Sequence, residues 1–169
     1  MKAIEAILTR RSIRKYTDRP VPDDLITELL RAAMAAPSAV NQQPWQFVVV
    51  RDRELLESIA TALPYGKMAR EAQLAVVVCG DLDQERTPGY WAQDCAAATE
   101  NLLVAANASG LGAVWLGTYP LEERVAAMRA LFGLPEHIVP FAVVPIGYPA
   151  EHPGPADRFD PDRIHLDKW

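Results

Sequence analysis

Hydrophobic positions along this chain follow two periods in turn, and the alternation predicts helices and strands. Ile4, Ile7 and Leu8 recur at helical spacing and mark one face of a short first helix. Val21-Pro22-Asp23-Asp24 places proline and acids where a helix start prefers them. Leu25, Ile26, Leu29, Leu30 and Ala33 then form a buried stripe, and Pro37 predicts a stop near Ala36. Phe47 to Val50 is a continuous apolar run, expected as a buried strand. A third helix is expected from Asp52, carried by Leu55, Leu56, Ile59, Ala60 and Leu63 and ending near Pro64. After a link from Tyr65 to Arg70, Leu74 to Cys79 reads as a second apolar strand, closed by Gly80-Asp81.

A long helix should follow the Arg86-Thr87-Pro88-Gly89 loop and continue to Ser109. Its residues between Ala96 and Ala106 are apolar nearly all round, which normally means burial on every side. Two readings stay open: a central helix inside one large core, or a helix covered by a second copy of the chain. In a chain of 169 residues the second is simpler, so a homodimer is expected. Gly110-Leu111-Gly112 ends that helix and Ala113 to Gly117 reads as a short strand. The order is helix then strand, and Trp115 stands where a third glycine would be, so a dinucleotide fingerprint is rejected. Leu121 to Phe132 is an amphipathic helix through Val125, Met128 and Leu131, capped by Gly133. Ile138 to Ile146 is the last long strand, and its Pro140 and Pro145 suit an edge or bulged position. From Gly147 onward, Pro149, Pro153, Gly154, Pro155 and Pro161 lie among charges. That tail reads as an extended arm laid across a partner subunit, with Arg158, Arg163 and Lys168 as its cations and Trp169 at its tip. The class is α/β or α+β with one sheet covered on both faces, residues 1–169 forming one domain.

Composition narrows what such a domain does. Half the residues are hydrophobic and 23% are charged, which is globular and not disordered. A net charge of -5 argues against general nucleic-acid affinity, which needs a basic footprint. No apolar run is long enough to cross a bilayer, and the N-terminus carries no signal-peptide stretch. Cys79 and Cys95 have no pairing logic, so two buried reduced thiols and a cytoplasmic location are expected. His137, His152 and His165 fall at no recognised ligand spacing, and no metal site is expected.

Two stretches carry candidate chemistry. Arg10-Arg11-Ser12-Ile13-Arg14-Lys15-Tyr16 concentrates cations in a negatively charged chain. Arginine forks suit a phosphate, and a solvated basic face is the alternative. Ala36-Pro37-Ser38-Ala39-Val40-Asn41-Gln42-Gln43-Pro44-Trp45 holds a hydroxyl, three amides and an aromatic with no charge. Amides present donors and acceptors at fixed angles, which suits the edge of a neutral heteroaromatic ring; the alternative is an ordinary helix-to-strand loop. The chain has no GxSxG elbow, no HExxH and no GxxxxGK[ST] loop. This inventory binds and positions, so any chemistry should come from a cofactor.

Those two stretches, followed by Gly110-Leu111-Gly112, Trp115 and Gly117, and then Ile146-Gly147-Tyr148-Pro149-Ala150-Glu151, resemble the FMN-dependent nitroreductase superfamily. Asp157-Arg158-Phe159-Asp160-Pro161 and the segment from His165 to Trp169 also look like its short members. The resemblance implies a mixed central sheet flanked by helices, with the C-terminal arm wrapping the partner in a homodimer. It implies that Arg10, Arg11, Ser12 and Arg14 bind the FMN phosphate and ribityl side. Pro37, Ser38, Ala39, Asn41 and Gln43 would pack on and bond the isoalloxazine across the dimer interface. Trp115, Leu116 and Gly117 match a third flavin-contacting segment, and Arg158 matches the cation of the arm that reaches the phosphate. Lys67 is a further candidate for a flavin contact. The implied activity is hydride transfer from NAD(P)H, as co-substrate, to a nitro, quinone or similar small organic acceptor in two half-reactions, with no protein acid or base. A flavin-binding protein without turnover on the same fold is the alternative. The stretch from Leu63 to Trp91 holds no long insertion, which implies an open pocket. Tyr90 and Trp91 are candidates for stacking on a substrate, or are aromatics buried at a helix start.

Overall fold

The computed structural model describes residues 1–154 and 156–169; Pro155 of the expected arm lies outside them. Among the described residues, five strands form one sheet and five α-helices cover it. Helix α1 spans Ala3–Thr9, α2 Asp23–Met34, α3 Arg53–Ala62, α4 Trp91–Ala108 and α5 Glu122–Phe132. Strand β1 spans Trp45–Val50, β2 Leu74–Asp81, β3 Gly112–Ala113, β4 Leu116–Gly117 and β5 Ile138–Gly147. The order across the sheet is β1-β2-β5-β3, and β4 also pairs with β5. These strand pairs are antiparallel; the parallel element is the isolated bridge between Ser12 and Ala113.

Continuous apolar runs became strands covered on both faces, as their lack of alternation requires. Every residue of β2 is buried. Leu74, Val76 and Val78 pack with α2 and α4, through Leu29, Leu102 and Ala106, on one face. Ala75, Val77 and Cys79 pack with α3 and α5, through Leu56, Ile59 and Met128, on the other. Helix α2 ends at Met34, two residues before the expected stop, and β1 starts at Trp45, two residues before the expected strand.

Strand β5 departs from the expected edge position: it is central, between β2 and the β3–β4 edge. It tolerates its prolines because each missing N–H falls where the ladder is broken. Pro140 pairs with Cys79 at a register shift, which is the bulge expected. Pro145 faces the interruption between β3 and β4, where Val114 N–H donates to its carbonyl. The expected single strand from Ala113 to Gly117 is therefore two short ones.

Helix α4 is buried along one side by the sheet and α2, while Ala96, Ala97, Val104 and Ala105 stay half-buried. On α1 the expected apolar face points outward: Ile4, Ile7 and Leu8 are exposed and only Ala6 is buried. The arm after Tyr148 runs over the surface and exposes Phe159, Ile164, Leu166 and Trp169.

Candidate functional site

The basic segment is fixed to the sheet edge through its backbone. Ile13 N–H donates to the Ala113 carbonyl at 3.0 Å, and Tyr16 Oη donates to the Ile13 carbonyl at 2.7 Å. Gly112 permits the approach, since a Cβ there would stand 2.6 Å from Ile13 Cγ2. Burial, more than the neighbouring Glu151 carboxylate, raises the Tyr16 phenol above its ordinary range, so it stays protonated as this donor.

Extended backbone sends alternate side chains to opposite sides. Arg11 and Ile13 line a cleft with Asn107 and Gly110. Arg14 lines a different, small cleft of about 130 Å³ with Trp115, Leu116, Gly117 and Arg124. Arg14 also borders a third cleft with Lys15, Lys67 and Glu71. Arg10 pairs with Glu100 of α4 at 3.2 Å, and Ser12 is half-buried beside Ala113. The structure thus sets Arg14 between the cleft of Trp115 to Gly117 and the cleft of Lys67, and turns Arg11 to another. Arg124, which the sequence reading passed over, donates to the Gly117 carbonyl at 3.0 Å.

The amide loop is built by different means. Val40, Asn41 and Gln43 have φ values of 45°, 55° and 49°. Left-handed backbone is unfavourable for non-glycine residues, above all for a β-branched one, at roughly 1–3 kcal/mol each. Buried hydrogen bonds hold this shape. Asp94 of α4, 4% exposed, accepts from Ala39 N–H at 2.9 Å and from Gln42 Nε2 at 2.6 Å. Gln42, also 4% exposed, accepts at Oε1 from the N–H groups of Arg86 and Thr87. Ser38 Oγ accepts from Gln43 N–H at 3.0 Å, and Gln43 Nε2 donates to Asn41 Oδ1 at 2.9 Å. Pro37, Asn41 and Gln43 are exposed; Ser38 and Ala39 are half-buried. The one acid inside the first turns of an apolar helix was the signal that could have marked Asp94.

The sheet register places these two halves at opposite corners. The loop enters β1 at Trp45, which pairs with Gly80, whereas Ser12 bridges Ala113 in the row of Ile146 and Leu74. Six residues along β2 and four strand spacings from β1 to the Ser12 segment amount to roughly 28 Å. The basic segment and the amide loop therefore lie well apart on the same chain. Arg158 stands exposed on the arm and lines neither Arg14 cleft. Trp91 is buried over Gly80, 4.7 Å from the Tyr119 ring centroid and 6.1 Å from that of Phe141, so it is a helix-start core aromatic; Tyr90 is exposed.

The chain thus presents a cationic cleft, open space beside Gly117 and an outward-facing amide loop. A family model described as the Nitroreductase family matches residues 7–148, most of the chain. The chain belongs to the nitroreductase family. It is 59% identical to a Methanothermobacter thermautotrophicus protein provisionally named NADH dehydrogenase/NAD(P)H nitroreductase, covering 100% of this chain and 88% of that protein. A crystal structure from Parabacteroides distasonis, provisionally given the same name, superposes with a TM-score of 0.95 at 44% identity, covering 99% of this chain and 98% of that one. A provisionally named nitroreductase from Desulfovibrio desulfuricans, in complex with FMN, gives a TM-score of 0.86 at 32% identity over 100% and 98% of the two chains. The α+β architecture of these nitroreductase-family structures is the one described above, an antiparallel sheet flanked by helices.

Proposed function

We propose that this nitroreductase-family protein is an FMN-dependent oxidoreductase that takes a hydride from NAD(P)H and passes it to a nitro, quinone or similar small organic acceptor. The names of its relatives support NAD(P)H-dependent oxidoreductase chemistry, and the FMN complex of a relative supports the cofactor. The observation that carries our fuller reading is the separation of the two binding halves within one chain. Each is half of a flavin site, and a homodimer would join the basic segment of one copy to the amide loop of the other.

The residues present fit FMN. Arg14 and Lys67 offer charge-assisted hydrogen bonds to a phosphate, with Arg10, Ser12 and the partner's arm completing the set. Arg158 is the arm's candidate for that role. Nothing lies within 4 Å of where a Gly117 Cβ would stand, which leaves backbone open to a planar ring. Asn41 and Gln43 supply neutral donors and acceptors to the ring edge. When bound, FMN supplies the two-electron chemistry, with a hydride entering from the reduced nicotinamide and leaving to the acceptor. The protein's part is to hold the ring, leave one face accessible and set donors where negative charge develops. No side chain is assigned as acid or base. The exposed apolar residues of α1 and the arm fit a surface covered by a second copy. Free buried thiols suit a cytoplasmic protein, and no helix among the described residues is long and apolar enough to cross a membrane.

Anaerobic addition of NADH or NADPH to the FMN-loaded protein tests the activity. The yellow absorbance should bleach and return when a nitroaromatic or quinone is added. A flavin that stays oxidised with both nucleotides would contradict the oxidoreductase and favour a flavin-binding protein without turnover.

A further inference from the structure

The network under the amide loop has a donor and acceptor order that assigns a role to two residues outside the flavin-facing set. Asp94 Oδ1 and Oδ2 receive Ala39 N–H and Gln42 Nε2, and Gln42 Oε1 receives two backbone N–H groups at Arg86 and Thr87. Both side chains are 4% exposed, so water cannot replace a lost partner. The Asp94 carboxylate has no cationic partner among the described residues; neutral donors and the N-terminal end of α4 hold its charge. The segment it grips contains three residues in left-handed backbone, a shape that persists only when its surroundings over-determine it.

We infer that Asp94 and Gln42 are positioning residues: a buried clamp that holds the Ser38–Gln43 loop in the conformation presenting Asn41 and Gln43 to the flavin ring. The inference rests on the flavin role of that loop. The clamp also ties the loop to the Arg86–Thr87 segment through two backbone N–H groups.

Complementarity makes the clamp testable by exchange. In Asp94→Asn the new Nδ2 opposes Gln42 Nε2, and flipping the Gln42 amide only moves the donor clash to Arg86 and Thr87 N–H. In Asp94→Asn/Gln42→Glu the Glu oxygens accept from Asn Nδ2 and from both backbone N–H groups, so every bond is restored with the charge moved one residue. FMN affinity and the visible circular dichroism of bound FMN are measured for wild type, Asp94→Asn and the double variant. Visible dichroism reports the asymmetric setting of the ring, which a general loss of stability does not alter in the molecules that remain folded.

The expected result is weakening of FMN binding by about tenfold or more in Asp94→Asn. An altered dichroism spectrum should accompany it, and both should recover in the double variant. Asp94→Asn that fails to fold beside a double variant that folds and binds FMN is the same rescue. Wild-type affinity and spectrum in Asp94→Asn would overturn the clamp alone, as would a double variant no better than the single one. Wild-type protein that takes up no FMN would overturn the flavin reading and the clamp together.

Discussion

Gly112 shows how much of the site depends on one absent methyl group. A Cβ there would stand 2.6 Å from Ile13 Cγ2 and 2.7 Å from Ile13 Cβ, both on a side chain buried against the sheet edge. Gly112→Ala must push the basic segment outward, at about 1–3 kcal/mol by the usual cost of overpacking. A lowered melting temperature together with weaker FMN binding is expected from thermal unfolding and a flavin titration. The thiols make a separate prediction. Burial pushes Cys79 up from its ordinary 9.0 to about 12, and raises Cys95 as well. The native state therefore keeps protons that the unfolded state releases above pH 9, so stability is full below that pH and erodes towards about 12. Urea unfolding across that window should show a falling midpoint, with a smaller fall in Cys79→Ala. At this scale the sequence displayed the residue types but not their directions. Arg11 and Arg14 look equivalent in the motif, and only the extended backbone, pinned at Ala113, turns them to different clefts.

Elements were legible where periodicity was unbroken. Helices α2 and α3 and strand β2 lie where their apolar residues predicted, because a stripe or a continuous run has few ways to be buried. The edge assignment of β5 failed for a tertiary reason. A proline's missing N–H matters only where a neighbour would have accepted it; at Pro140 β5 itself bulges, with Phe141 as the extra residue, and at Pro145 the neighbouring edge is interrupted between β3 and β4. The prolines marked the bulge, whereas the interruption of the neighbouring edge leaves no local trace in the β5 sequence. The packing of α4 on β2 is equally specific: a Cβ on Gly80 would stand 2.3 Å from Trp91 Cε3. Gly80→Ala should displace the ring from Tyr119 and Phe141, shift the tryptophan fluorescence, and lower the urea midpoint through a loss of about 1–3 kcal/mol in unfolding free energy, the cost of a methyl forced into a packed core. Unchanged emission and midpoint would show that the strand and helix separate more easily than their packing implies.

At the scale of the whole molecule, the two motifs that resemble parts of one site lie roughly 28 Å apart on one sheet. No spacing along the chain announces this, since separation depends on strand order and register. The family resemblance implies a second subunit, and the distance between the motifs is the observation from which we propose it. The arm has no core of its own, and α1 turns Ile4, Ile7 and Leu8 outward.

Subunit complementation tests this composite site most directly. One copy carries Arg10→Ala/Ser12→Ala and the other Asn41→Ala/Gln43→Ala, co-expressed with different tags and purified as the heterodimer. If each pocket joins the basic segment of one chain to the loop of the other, one heterodimer pocket carries both lesions and the other carries none. The account predicts that each double-variant homodimer binds FMN weakly, while the heterodimer binds one FMN with wild-type affinity. A heterodimer that binds no better than the two homodimers would contradict it.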